Sequence, residues 1–232
     1  MVDAFYPQVG MAVADILAVQ GLSVGFPPRQ TCCGQPAFNA GFTQQARAMA
    51  RHTLDVFDPT AGAIIVPSGS CTDMIVYHYQ QLLAGGPHYA SKARRVAART
   101  FEFTQFVVDD LRVENLGARA SRSAAYHPSC HGLRNLNKRR QPAALLANVH
   151  GLKQVEFACA ENCSGFGCLF SVRMSAISGA MLARKLDHLE DSGAGVLAAG
   201  DVDCLLHMQG GLRRHGSQLQ VKHIAEILNE RG

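Results

Sequence analysis

An α/β fold with mostly parallel sheets, built from two pseudo-symmetric repeats, is predicted by three features of the sequence. Short apolar or β-branched runs alternate with longer stretches at helical spacing. Cysteine-bearing turns recur at matching intervals, and each such turn follows a predicted strand and opens a predicted helix. Strands are expected at 22–26, 63–66, 123–126, 153–157 and 196–198, and helices at 9–19, 43–57, 72–83, 92–111, 142–149, 174–190 and 224–229. Within 174–190, Ile177, Met181, Leu182, Leu186 and Leu189 form an apolar stripe suited to packing on a sheet.

The repeat is read from the cysteines. Gln30-Thr31-Cys32-Cys33-Gly34 is matched by Glu161-Asn162-Cys163-Ser164-Gly165, and Pro67-Ser68-Gly69-Ser70-Cys71 by Gly200-Asp201-Val202-Asp203-Cys204. Cys33 and Cys71 are 38 residues apart, and Ser164 and Cys204 are 40 apart. Asn115, Gly117 and Ser121 interrupt the periodicity between the halves, which gives a first repeat at 1–115 and a second at 116–232. The second half also carries Tyr126-His127-Pro128-Ser129-Cys130, 33 residues before Cys163. The same interval before Cys32 falls upstream of Met1, so the first repeat is expected to lack its N-terminal strand and the cysteine at its end.

Composition narrows the function. With 47% hydrophobic and 17% charged residues, the chain of 232 is an ordinary globular protein. The apolar stretches at 61–67 and 193–199 are far shorter than the roughly 20 residues that span a bilayer, and no secretory signal opens the sequence, so a cytoplasmic protein without a transmembrane segment is expected. A net charge of +4 is modest. Its one dense patch, Lys138-Arg139-Arg140, reads as a solvated approach to a helix, and no nucleic-acid motif accompanies it. A basic rim also suits an acidic partner or an anionic substrate. No glycine-rich dinucleotide fingerprint or phosphate-binding loop occurs.

Eight cysteines in a chain of this kind point to metal ligation or redox chemistry, because a reducing cytosol disfavours structural disulfides. Loops leaving the carboxyl ends of parallel strands gather at one edge of a sheet, so cysteines distant in sequence can share a site there. Two ligand sets are expected: Cys32, Cys33 and Cys71, then Cys130, Cys163 and Cys204, with Ser164, Cys159 and Cys168 as further candidates in the second. Thiolates suit an iron–sulfur cluster. They also suit zinc, although structural zinc sites generally use C-x-x-C pairs, which are missing here. Among the histidines, His127, His131 and His207 lie near these cysteines in sequence. His52, His78, His88, His150, His188, His215 and His223 are expected on surfaces, and Asp201 and Asp203 as caps of the following helix.

The segments Asp3-Ala4-Phe5-Tyr6-Pro7, Cys32-Cys33-Gly34-Gln35-Pro36-Ala37-Phe38-Asn39, Pro67-Ser68-Gly69-Ser70-Cys71 and His223-Ile224-Ala225-Glu226 resemble the lactate-utilisation protein A family over essentially the whole chain. More distantly the chain resembles the cysteine-rich subunits of heterodisulfide reductase and glycolate oxidase. The resemblance implies an oxidoreductase component, an iron–sulfur electron-transfer subunit that works with two partner subunits in oxidising L-lactate to pyruvate, with a cluster of the 4Fe-4S type. It places the family's first motif on Cys32, Cys33 and Cys71 and its second on Cys130, Cys163 and Cys204. Two departures stand out: the family's upstream cysteine is missing, and Ser164 replaces a thiolate, while Cys168 occupies a position more often glycine.

Two other classes fit the residues. One is a scaffold subunit that holds zinc or no metal, since three-thiolate sets bind weakly. The other is a thiol–disulfide redox enzyme of the heterodisulfide reductase kind, using Cys32-Cys33 or Cys163 as nucleophile. A homo-oligomer is compatible with any of them.

Overall fold

A computed structural model describes residues 2–232. The α/β expectation with parallel sheets holds. In the first half β1 (Ile64–Val66) and β2 (Thr100–Glu102) pair in parallel, with Ile64 opposite Thr100. In the second half β3 (Arg119–His127), β4 (His150–Gln154), β5 (Val196–Ala199) and β6 (Gln220–His223) form a four-stranded parallel sheet in the order β4-β3-β5-β6. No helix among the described residues is long and apolar enough to cross a membrane.

Strand alternation sends neighbouring residues to opposite faces, and both faces of the larger sheet are covered. Ala124, Val196 and Ala198 join a core with Val13, Ile16 and Leu17 of helix Pro7–Val19 and with Ile224 and Leu228 of helix Ile224–Leu228. Ala125 and Leu197 face the other way, onto Leu182, Leu186 and Leu189 of helix Ser175–Asp191 and Met208 and Leu212 of helix Val202–Arg214. A third core lies against the smaller sheet, where Ile64 meets Ala46, Ala50 and Leu54 of helix Thr43–Phe57 together with Met74 and Tyr79.

Several expectations are corrected. Residues 22–26 are not a strand: they pair with no neighbour, and Val24 and Phe26 are exposed. The expected helix at 92–111 is broken. Helix Pro87–Ala97 ends before β2, and the chain re-enters a helical turn at Phe103–Gln105, where the Glu102 carboxylate accepts from the Thr104 N–H (2.7 Å) and the Gln105 N–H (3.2 Å). An apolar run such as Thr100 to Val108 fits either structure, and only pairing with β1 decides for a strand at its start. β6 escaped notice because its polar alternation of Gln220, Val221, Lys222 and His223 reads as a loop. Ile177, expected to pack on the sheet, is exposed.

Two corrections concern charge. Lys138 is not solvated: its side chain is 0% exposed, and Nζ donates to Glu102 Oε1 at 2.7 Å, against a Glu102 side chain equally buried. Burial alone would weaken the ammonium, but the Glu102 charge outweighs it and holds the Lys138 pKa above its usual value. His223 is likewise fully buried and caps helix Ile224–Leu228, its Nδ1 accepting from the Ala225 N–H at 3.2 Å.

Burial pushes His223 down to about 3, with the Lys138 charge adding to the effect. It pushes the equally buried His127 down to about 3, with help from Lys185. Above the ordinary histidine value both groups are neutral whether folded or not. As pH falls below about 6.5 the unfolded chain takes up two protons that the folded chain refuses until about pH 3, so stability is lost across that window. Each group removes up to about 1.4 kcal/mol per pH unit. Urea midpoints measured from pH 7 to pH 5 should therefore fall, and the slope should flatten in His127→Gln/His223→Gln whatever the variant's absolute stability; an unchanged slope contradicts this account.

Candidate cysteine site

Three of the expected cysteines sit where parallel strands end. Cys71 follows β1, Cys130 follows β3 and Cys204 follows β5, each at the opening of a helical segment. The Ser68 side chain accepts from the Cys71 N–H at 3.4 Å and caps the turn Gly69–Asp73. The other cysteines come from irregular loops bent by glycine. Gly34 has φ +85, and a Cβ there would lie 3.0 Å from Met49 Cβ; Gly165 has φ +87, and a Cβ there would lie 2.8 Å from the Ser178 carbonyl oxygen. Both positions therefore require glycine twice over, for conformation and for space.

In the first set two sulfurs from separate segments meet. Cys33 Sγ lies 3.2 Å from Cys71 Sγ, and the adjoining Cys33 side chain and Gly34 backbone both favour the thiolate of Cys32. Tyr79 OH donates to the Cys33 carbonyl at 2.6 Å and fixes the loop from beneath. In the second set Cys130 lies close enough to Cys163 to favour its thiolate, and the Gly165 N–H donates to Cys163 Sγ at 3.4 Å. Cys163 thus occupies the role of Cys32. Ser164 occupies that of Cys33: it is 0% exposed, beside the half-buried Cys204, and its Oγ has no hydrogen-bond partner of good geometry among the described residues.

These contacts polarise each set. The Cys33 thiol lowers Cys32 to about 6 against a burial that would raise it, and the Cys130 thiol does the same for Cys163, also to about 6. The donors move the other way: Cys33 is raised by its bonds to Cys32 and Cys71, and Cys130 by its bond to Cys163. Cys204 is raised chiefly by burial. Cys32 and Cys163 are therefore the readier thiolates, with the Cys33, Cys130 and Cys204 thiols held back.

The two sets are tied together. Asp201, expected to cap its own helix, makes no such bond. Its buried carboxylate instead crosses to the other half and accepts from the Ser70 N–H (2.8 Å), Ser70 Oγ (3.0 Å) and Ser68 Oγ (3.2 Å). Gly69 N–H donates to the Gly200 carbonyl at 3.4 Å beside it. Asp73, two residues after Cys71, receives His131 Nδ1 (2.6 Å) and Asn135 Nδ2 (2.8 Å) from the turn after Cys130. Burial would raise the Asp73 pKa, but these two bonds and their charge hold it below the usual carboxylate value. Asp73, Asn135 and the bridging role of Asp201 went unread in the sequence, since each depends on a partner more than fifty residues away.

The remaining candidates divide. Cys168 opens the turn Leu169–Arg173 with φ +54. Burial raises its thiol to about 12, and the charges that add to this are Asp203, Cys32, Asp201 and Cys71, so the sulfurs it senses belong to the first set rather than the second. Cys159 lines a cavity with Cys163. His207 stacks against Phe166 and reaches Ser178 Oγ at 3.3 Å. Lys185 is buried, and its Nζ donates to the Cys159 and Ala160 carbonyls at 3.0 Å each.

No three Cys, His, Asp or Glu side chains among the described residues converge on the centre of a single ion. Cys33 and Cys71 supply one close pair of sulfurs, and thiolates are the donors an iron–sulfur group takes. The soft donors and the unsatisfied Ser164 Oγ, buried against Cys204, fit such a group.

The model of the cysteine-rich (CCG) domain family matches residues 1–76 and 124–209, the segments that carry the two sets. Over 231 residues the chain is 42% identical to the lactate utilization protein A of Shouchella clausii, covering 100% of this chain and 96% of that protein. The protein of the same name from Geobacillus sp. is 41% identical over equal spans. That from Exiguobacterium sp. is 43% identical over 229 residues, covering 98% and 93%.

Proposed function

The chain belongs to the lactate utilization protein A family of cysteine-rich proteins, and from that premise we propose that it is an iron–sulfur electron-transfer subunit in the oxidation of L-lactate to pyruvate. The observation that carries the reading is that cysteines from separate segments meet: Cys33 Sγ stands 3.2 Å from Cys71 Sγ, while a glycine N–H donates to Cys163 Sγ beside Cys130. Cys32, Cys33 and Cys71 would hold one cluster, and Cys130, Cys163 and Cys204, with Ser164, a second. A bound cluster supplies one-electron steps at a potential set by charge, burial and hydrogen bonds to sulfur.

The protein's own residues prepare that chemistry. Gly34 and Gly165 donate N–H groups to sulfur, which stabilises the thiolate state. Asp201 fixes the Cys71 loop to the Cys204 loop, so electron transfer between the sets would need no movement of either. Burial brings the Lys185 ammonium down to about 8, while the charge of Cys204, Cys163 and Cys130 works against that fall. Hydride or proton removal from the substrate is assigned to the assembled complex, with two partner subunits in the cytoplasm.

Ser164 favours a second reading of its own set, in which that set holds no cluster, because a hydroxyl is a harder and poorer ligand than a thiolate for this chemistry. The variant Ser164→Cys separates the two. Under the main reading it raises iron per chain and visible absorption, or leaves both unchanged because the serine already ligates. A protein in which neither Ser164→Cys nor the parent binds more iron than Cys163→Ala has an empty second set.

A further inference from the structure

We propose that the cavity beside Cys163 binds a small carboxylate anion and presents it to the second cysteine set. The cavity is about 290 Å³ and is lined by Arg134, Cys159, Asn162, Cys163, Met181, Arg184 and Lys185. Its charge is one-sided: three of the seven side chains are cationic and none is acidic. Arg134 and Arg184 have no ion-pair partner among the described residues, unlike Arg95, Arg122, Arg139 and Arg140, each of which holds a carboxylate. Glu161, whose charge Arg134 also feels, is already gripped by Arg139.

Lys185 completes the argument. It is 2% exposed and meets no carboxylate; two of its three N–H bonds go to the Cys159 and Ala160 carbonyls. His127 Nδ1, 3.5 Å from the ammonium, is itself committed to the Ala160 carbonyl at 3.0 Å. Burial works against the ammonium and brings Lys185 down to about 8, so a compensating negative charge beside it is favoured. The thiolate of Cys163 supplies part of that charge, and an incoming carboxylate would supply the rest. Two guanidinium groups suit a carboxylate, which they can engage through paired N–H bonds. Asn162 adds an amide for a neighbouring hydroxyl or carbonyl oxygen, and Met181 adds apolar surface for a methyl group. A short 2-hydroxy or 2-oxo acid combines these features.

The proposal deepens the lactate reading, which supplies the choice of probe. The test is calorimetric titration of the full-length, anaerobically purified protein with L-lactate and with pyruvate, using lactamide as the uncharged control. Saturable binding of at least one acid is expected, weaker by about tenfold or more in Arg134→Gln and in Arg184→Gln, with Arg184→Lys intermediate and lactamide not bound. Both arginines are exposed, so folding of the variants is checked by an unchanged thermal midpoint. Absence of saturable heat, equal affinity in the variants, lactamide binding as tightly as lactate, or inorganic phosphate competing as well as lactate each overturns the assignment. Iron analysis of the same samples keeps the two readings apart: iron without lactate binding defeats the cavity alone, and lactate binding without iron defeats the cluster alone.

Discussion

Replacing Cys33 or Cys71 with alanine is expected to empty the first cysteine set, so that iron per chain and electron-transfer rate fall together, iron by about half where both sets were equally filled. The two residues are placed by unrelated elements, one in a glycine-bent loop and one at the end of β1, yet their sulfurs stand 3.2 Å apart. Each should therefore cost as much as the pair, because removing either leaves too few thiolates to hold the group. The variants should stay folded, since Cys33 contributes only a small apolar side chain to the core around Leu54, Met74 and Tyr79. Cys168→Ala sharpens the test. Its thiol senses Cys32 and Cys71, so a loss of iron there that matches the loss in Cys33→Ala makes it a ligand of the first set drawn from the other half. Unchanged iron in both Cys33→Ala and Cys71→Ala contradicts the assignment of the set.

Lys138→Met should be the most destabilising single change away from sulfur, by about 3–5 kcal/mol, because it leaves the Glu102 carboxylate charged and buried without its partner. Glu102 ends the smaller sheet and Lys138 follows the turn after Cys130, so the pair is a bond between halves as well as within the core. A double variant, Lys138→Met/Glu102→Gln, removes the unpaired charge and should recover most of the loss, since a buried ion pair is worth little more than a well-packed neutral pair. Urea unfolding checks both. A single variant within about 1 kcal/mol of the parent shows that the pair does not have the burial described.

How much of this was legible in the sequence follows from the range of the interactions involved. β1, β3, β5 and helix Thr43–Phe57 were readable because hydrophobic periodicity is local, and the turns that bring Cys33 and Cys71 together could be picked out because cysteine-bearing turns recur. Ser164 could be matched to Cys33 from spacing alone; both are buried, Cys33 with Cys71 3.2 Å away and Ser164 near Cys204. The failures share one cause. Lys138 looked solvated because it sits in a basic run, yet its partner is Glu102, 36 residues away. Asp201 looked like a cap because it precedes a helix, yet its bonds go to Ser68 and Ser70, more than a hundred residues back. β2 and His223 depended on strand neighbours that no window of sequence contains. The cationic cavity lay hidden for the same reason, as Arg134 comes from the turn after β3 and Arg184 from a helix fifty residues on.

The central claim is that sulfurs from these loops hold iron, and its most direct test is analysis of anaerobically purified full-length protein for iron, acid-labile sulfide and zinc, combined with electron paramagnetic resonance. Brown protein with iron and sulfide in comparable amounts, and a resonance that appears or vanishes on adding an electron, is the predicted result. Colourless protein that carries zinc, or neither metal, with all eight thiols free to react, would contradict it.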